Sequence, residues 1–345
     1  MLDNLLSEVD VQHLCTLLDK AHNIIVTCHV SPDGDAMGAV LAFSHFLWRK
    51  GKNAQPVVPN IFPDFLKWMP GVERVRIYEK HENEVAPLVA AADLIICLDF
   101  NAPDRLQGLQ KPVTDSQSPK IMIDHHLDPV DFCDWVVSRQ EMSSTCELLY
   151  RILVQLEGLD PMTYEEAVCL YTGMMTDTGC FSYNSNRSDI YYIIGRLLTK
   201  GIDKDKIYRN VFFNYSAERF RLMGNMLYVK LEYFPEYHAS LMTLTREEQK
   251  RFSHKKGDTE GFVNIPLQIG KSRLSVFLRE DTERHNIRVS LRSVDDFPCN
   301  RMAAEFFNGG GHLNASGGEL SCTMDEAVQI VRKALKKYAS LLTDR

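Results

Sequence analysis

The chain has 345 residues, 45% hydrophobic and 25% charged, with a formal net charge of −7 at pH 7. That length accommodates two domains of ordinary soluble-enzyme composition. The acidic balance argues against a long nucleic-acid duplex, whose binders carry a basic stripe, and leaves room for a small anion gripped locally. Nine cysteines, odd in number and without a CxxC pair, read as reduced, buried thiols of a cytoplasmic protein. The opening MLDNLLSEVD is acidic and reads as neither a signal peptide nor a membrane span.

In chain order, Leu14, Leu17, Leu18 and Ala21 have the i, i+3, i+4, i+7 spacing of an amphipathic helix. Four apolar runs follow: NIIVTC (23–28), AQPVVP (54–59), LIICLDF (94–100) and KIMID (120–124). The helical patterns AMGAVLAFSHFLWRK and ENEVAPLVAAA lie between them. Continuous apolar strands alternating with helices predict a mostly parallel, doubly wound α/β sheet covered on both faces. After DHHLDP the pattern is helical, through STCELLYRILVQLEG, TYEEAVCLYTGMMTD and SDIYYIIGRLLTKG, to about Tyr228. From there HASLMTL, GFVNIPLQIG, RLSVFLRE and NIRVSLRS read as strands, and MDEAVQIVRKALKKYASLL as a final helix. The expected division is a catalytic domain over 1–195, a helical linker over 196–228 and a smaller α/β domain over 229–345.

Ligands of open parallel sheets bind outside the carboxyl ends of the strands. Four polar groups are expected there: His29, Asp33 and Asp35 in VTCHVSPDGDAMG, Asp99 in LIICLD, Asp124, His125 and His126 in IMIDHH, and Asp177 closing YTGMMTD. Any one acid alone reads as a helix cap or turn, and His125 alone as a structural histidine. Four such groups together read as a metal centre. Carboxylates and imidazoles without thiolates suit Mn²⁺ or Mg²⁺, and the ligand number favours two ions sharing a carboxylate. Gly34 is expected to let the chain turn sharply between His29 and Asp35, and Gly38 to permit close helix packing.

The ordered set HVSPDGDAMG, LDF, DHH and TDTGCFSY resembles the DHH family of phosphoesterases, and NGGGHLNASGG (308–318) is similar to the GGGH motif of its DHHA1 substrate-binding domain. The resemblance implies two lobes with a catalytic cleft between them and a dinuclear, usually Mn²⁺-dependent, site. By similarity, His29, Asp33 and Asp99 would bind one ion, and Asp35, Asp99, His125 and Asp177 the other, with Asp99 bridging. His126 would face the scissile phosphate, while Asp124 would orient the histidines or cap its strand.

In the second lobe, Gly309, Gly310 and Gly311 can offer backbone N–H groups to a phosphate and His312 an imidazole. Arg292 can grip a phosphate in bidentate fashion, with Arg288 and Arg279 weaker candidates. Phe262 and Phe277 read as core, with base stacking as the alternative. Ser143 or Ser144 is expected to cap the helix beginning at Thr145, and that helix start, Ser144 included, to hold a phosphate. The expected activity is hydrolysis of short oligonucleotides or dinucleotides to 5′-nucleoside monophosphates, by attack of a metal-bridging hydroxide on phosphorus. Within the family, the length and acidity look most like the bifunctional oligoribonuclease and pAp (3′-phosphoadenosine 5′-phosphate) phosphatase group; no extra nucleic-acid-binding domain of the RecJ type is evident. Expected partners are short RNA or DNA or dinucleotides, without a long duplex or a membrane, and a homodimer is allowed. The alternatives are an inorganic pyrophosphatase of the same family and a non-catalytic nucleotide sensor.

Overall fold

The computed structural model describes residues 3–213, 215–255 and 257–343. The chain forms two compact units, Met1–Asn214 and Tyr215–Arg345. The division falls inside the segment read as a helical linker.

In the first unit, helix α1 (Glu8–Lys20) precedes β1 (Asn23–Thr27), α2 (Gly34–Arg49), β2 (Asn53–Val58), β3 (Arg76–Ile77), α3 (Tyr78–Ala90) and β4 (Leu94–Leu98). Then come α4 (Gln110–Asp115), β5 (Lys120–Asp124), β6 (Trp135–Ser138), α5 (Thr145–Glu157), α6 (Tyr164–Asp177), α7 (Ser188–Leu198) and α8 (Lys204–Phe212). The six strands form one parallel sheet in the order β3-β2-β1-β4-β5-β6. Both faces are covered, as the unbroken apolar runs require. Ile24, Val26, Ile96, Leu98 and Ile123 pack with α2, α5 and α6, while Ile25, Val57, Ile95 and Met122 pack with Val85 and Val89 of α3 and Val113 of α4. The alternation is the two-residue period of a strand, read out on two buried faces. The strand order reverses between β1 and β4, which is where a doubly wound sheet opens a crevice at its carboxyl edge.

The second unit contains α9 (Ala217–Asn225), β7 (Glu232–Phe234), β8 (Ala239–Leu244), α10 (Arg246–Arg251), β9 (Leu274–Glu280) and β10 (Ile287–Ser293). It continues with α11 (Cys299–Phe306), β11 (Gly310–His312), β12 (Ala315–Leu320), α12 (Met324–Lys337) and α13 (Ala339–Thr343). Its sheet runs β11-β12-β10-β9-β8-β7, antiparallel except for the β8–β9 pair. Leu274, Val276, Leu278, Val289 and Leu291 face α11 and α12 on one side, and Phe277, Met242 and Phe262 form a smaller core on the other.

Two readings of the second unit are corrected. GFVNIPLQIG is not a strand: Phe262–Gln268 forms a 3₁₀ helix, entered through Gly261 at φ 79°. Pro266 lies inside it and has no N–H to give a sheet ladder. The final helix is two helices, α12 and α13, rather than one. Among the described residues no helix is long and apolar enough to cross a membrane.

Candidate metal centre

The local chain explains each ligand's position. β1 ends at Thr27, and His29 follows it with 6% of its surface exposed. The His29 Nδ1–H donates to its neighbour's carbonyl, Val30 O, at 2.8 Å, an assignment made from that partner. This turns Nε2 toward Asp99 Oδ2 at 3.5 Å and Asp33 Oδ2 at 3.8 Å. Asp33 is the N-cap of α2: its Oδ1 accepts from the N–H groups of Asp35 (3.0 Å) and Ala36 (3.1 Å), and its second oxygen faces His29. Asp35, in the first turn of α2, is 1% exposed.

Asp99 follows β4 and is 2% exposed, at φ 64°. A left-handed aspartate is uncommon but tolerated, because its short polar side chain bonds locally. Here the strain places its two oxygens on different histidines: Oδ2 toward His29, and Oδ1 at 3.7 Å from His125 Nε2 and 3.8 Å from His126 Nδ1. Asp124 ends β5, wholly buried. Its carboxylate accepts from His126 Nδ1–H at 2.7 Å and from the His126 backbone N–H at 3.1 Å. His125 Nδ1 faces Met142 O at 3.3 Å, and its Nε2 lies 4.0 Å from Asp35 and 3.6 Å from Asp177.

The structure thus brings His29, Asp33, Asp35, Asp99, His125, His126 and Asp177 together. Three overlapping groups have ligand atoms within 4.8 Å of one another: His29, Asp33 and Asp99; Asp35, His125 and Asp177; and Asp99, His125 and His126. Asp99 belongs to two of them. Asp177 arrives differently from expectation: it is the last residue of helix α6, not the end of a strand.

The electrostatics follow from crowding. Burial and the Asp99 charge push the Asp35 carboxyl up to about 7. Burial and the Asp35 charge raise Asp177 well above the usual carboxylate range. Burial disfavours charge on both imidazoles, but the carboxylates outweigh it: Asp99 and Asp33 push His29 up to about 9, and Asp177, Asp99 and Asp35 push His125 up to about 9. Asp99 is held well below its usual range, despite its burial, by His29, His126 and His125. Among the described residues no lysine or arginine pairs with Asp33, Asp35, Asp99 or Asp177. Four converging carboxylates without a fixed cation, together with imidazole nitrogens and no thiolate, fit hard or borderline divalent ions.

Residues singled out less strongly, or not at all, complete the centre. Thr145 N–H donates to Asp35 Oδ2 at 2.6 Å, Cys146 N–H to Asp35 Oδ1 at 2.9 Å, and Thr145 Oγ1–H to Asp99 Oδ1 at 2.9 Å. The helix start expected to receive a phosphate therefore gives these two amides to Asp35. Ser144 is the buried cap, accepting from Glu147 N–H at 3.0 Å. Ser143 lies behind it, donating to the Glu147 carboxylate, which also pairs with Arg151 and Arg187. The S-x-x-E spacing of Ser144 and Glu147 was the available signal for where this helix begins.

Gly34 does not make the predicted turn by a left-handed backbone. A Cβ there would lie 2.2 Å from Thr176 Oγ1, so its role is close approach of α2 to α6. Gly38 acts in the same way, with its Cβ position 2.7 Å from Cys169 O. Gly173 of α6 leaves room for Asp35 itself, whose Oδ1 would be 2.8 Å from a Cβ.

In the second unit, register aligns the remaining candidates. Arg292 and His312 are both opposite Ala315, on β10 and β11 respectively, so they share one row and one sheet face. Gly310 pairs with Gly317 on that same face, and Gly311 alternates to the other. The glycine run is an exposed edge strand, not an open loop. Arg279 and Arg288 are opposite each other on β9 and β10. Phe262 and Phe277 are buried in the smaller core.

Residues 23–174 match the model of the DHH family, N-terminal domain, and residues 242–340 that of the DHHA1 domain. A crystal structure of an exopolyphosphatase-related protein from Bacteroides fragilis superposes with a TM-score of 0.96 at 50% identity, covering 99% of this chain and 100% of that one. The bifunctional oligoribonuclease and PAP phosphatase NrnA of Thermus thermophilus is 29% identical over 315 residues, 91% of this chain and 89% of its own length. RecJ of Thermus thermophilus in complex with Mn²⁺ shares the fold, with a TM-score of 0.56 at 14% identity over 99% of this chain and 56% of that one. The chain spans only 39% of the length of two phytoplasma relatives.

Proposed function

Because the chain belongs to the DHH family, we propose that it is a metal-dependent phosphohydrolase that cleaves short oligonucleotides or dinucleotides to 5′-nucleoside monophosphates and also removes a phosphate from pAp. The observation that carries this reading is the convergence of His29, Asp33, Asp35, Asp99, His125 and Asp177 within ligand distance of one another. The likeness over nine-tenths of the chain to an oligoribonuclease and PAP phosphatase supports the substrate class.

In this reading His29, Asp33 and Asp99 hold one divalent ion, and Asp35, Asp99, His125 and Asp177 the other, with Mn²⁺ the preferred metal. Such a pair, when bound, supplies Lewis-acid activation of a water and charge stabilisation at the phosphoryl oxygens. The protein's own contribution is orientation. Val30 O and Met142 O fix the rings of His29 and His125 so that each presents Nε2. Thr145 and Cys146 fix the plane of the Asp35 carboxylate. Asp124 fixes His126, which holds the phosphate under attack. In the second unit, Arg292, His312 and the backbone of Gly310 and Gly311 hold the rest of the nucleotide.

The test is a substrate panel with Mn²⁺: short RNA, short DNA, pAp, linear and cyclic dinucleotides, and pyrophosphate. Turnover of dinucleotides and pAp is expected, with metal chelation abolishing it. Turnover of pyrophosphate alone would replace the reading with a pyrophosphatase, and metal-dependent nucleotide binding without turnover would replace it with a sensor.

A further inference from the structure

The face of the second sheet that carries Arg292 and His312 continues past them. Four residues along β10 from Arg292, roughly 13 Å away at strand rise, lies Arg288, directly opposite Arg279 of β9. Like charges placed directly opposite destabilise a strand pair. Carboxylates relieve Arg288: Asp281 at 3.0 Å and Glu319 at 3.1 Å. They do not relieve Arg279. Asp281 is already engaged by Arg288 and by the N–H groups of Glu283 and Arg284, at 2.9 and 3.0 Å. Glu280 points its carboxylate at the N–H of Arg246. Among the described residues no carboxylate lies within ion-pair distance of Arg279.

Arg279 is nonetheless only partly exposed. Burial holds its guanidinium below the ordinary value, Asp281 opposing and Arg288 adding to the effect. Burial and the Arg279 charge likewise lower His254, whose buried Nε2 has no hydrogen-bond partner among the described residues. A partly desolvated cation without a counter-ion and a buried nitrogen without a partner are both costly. Such local violations of folding rules concentrate where a ligand resolves them. The ligand that suits Arg279 is an oxyanion with several acceptor atoms, taken bidentately by the guanidinium.

We propose that Arg279, with Arg288 across from it, forms a phosphate-binding subsite on the second sheet, distinct from the Arg292–His312 row. The phosphate is either a further phosphate of a bound nucleotide chain or free inorganic phosphate. The subsite stands whether or not the chain is a hydrolase, because it is read by binding alone.

The experiment uses the full chain labelled with ¹⁵N, without added metal, and follows arginine Nε–Hε resonances, Arg279 being assigned from the Arg279→Gln spectrum. Titration with inorganic phosphate is expected to shift the Arg279 resonance saturably, and Arg292→Gln should leave that shift intact. A second arm measures the affinity of a dinucleotide with and without a 5′-phosphate. If the phosphate belongs to the nucleotide, the 5′-phosphate improves affinity roughly tenfold in the wild type and not at all in Arg279→Gln. If the source is free phosphate, the two dinucleotides bind alike while inorganic phosphate still moves Arg279. Should Arg279→Gln fail to fold, Arg279→Lys keeps the charge without the bidentate fork and is expected to weaken phosphate binding. No saturable movement of Arg279 with inorganic phosphate and no 5′-phosphate preference would overturn the proposal.

Discussion

In the first unit several of the candidate site residues are held from behind. Asp33 is pinned by two helix amides, Asp35 by two more, Asp99 by the Thr145 hydroxyl and His126 by Asp124. Asp35, Asp99 and Asp124 are all at most 2% exposed. In the second unit Gly310 and His312 sit exposed on β11, the outermost strand of its sheet. Around Asp35 and Asp99 the first arrangement concentrates charge where water screens it little, so interactions there are strong and interdependent. The second leaves its groups solvated, so each contributes a separable increment. Loss of one member should therefore collapse the metal centre and only erode the glycine strand.

The sharpest break is Asp99→Asn. Asparagine tolerates the left-handed backbone at this position, so the fold should survive while the shared carboxylate loses its charge. Turnover on a dinucleotide with Mn²⁺ should fall on the order of 10³-fold or more, with near-UV circular dichroism unchanged. A folded variant within tenfold of wild type would reject the bridging role proposed for Asp99.

Thr145→Val comes next, since it deletes the hydroxyl on Asp99 but keeps the amide on Asp35. Groups that orient metal ligands typically contribute 10–100-fold in affinity. Calorimetric Mn²⁺ titration should show a loss of about that size, with Thr145→Ser restoring it. If the serine variant binds as poorly as the valine, the side chain acts through packing instead.

His312→Ala should cost about tenfold to hundredfold in kcat/KM on a dinucleotide, the range of one charge-assisted contact. Mn²⁺ affinity should stay unchanged, because the ligands lie in the other compact unit. A variant that loses its metals would erase the contrast between the two regions.

The smallest effect separates two glycines of the glycine run, Gly310 in β11 and Gly309 just before it. Among the described residues a Cβ on Gly310 meets nothing within 4 Å, whereas one on Gly309 would lie 1.8 Å from Gly317 O. Gly310→Ala should move the denaturation midpoint by less than about 0.5 kcal/mol. Gly309→Ala should destabilise by about 1–3 kcal/mol through overpacking. Equal destabilisation of the two would mean that Gly310 also serves the fold.

The sequence by itself determined the parallel sheet and most of the centre's membership. Strand ends are local events: the apolar run stops, the chain turns, and the polar residues just beyond it fall on the carboxyl edge, as His29, Asp99 and His125 do. What lay beyond local pattern was decided by contacts between distant segments. Asp177 reaches the centre from a helix end because α6 packs on α2, at a closeness that Gly34, Gly38 and Gly173 make available. Thr145 and Cys146 meet Asp35 across more than a hundred residues, and no spacing rule spans that interval. The GFVNIPLQIG segment has the apolar content of a strand, but Pro266 cannot give an N–H to a ladder and lies inside a 3₁₀ helix. Arg279 reads as an ordinary strand residue until register places it opposite Arg288, with no carboxylate of its own among the described residues. Periodicity fixes which way a side chain points; only the folded chain fixes what it meets there.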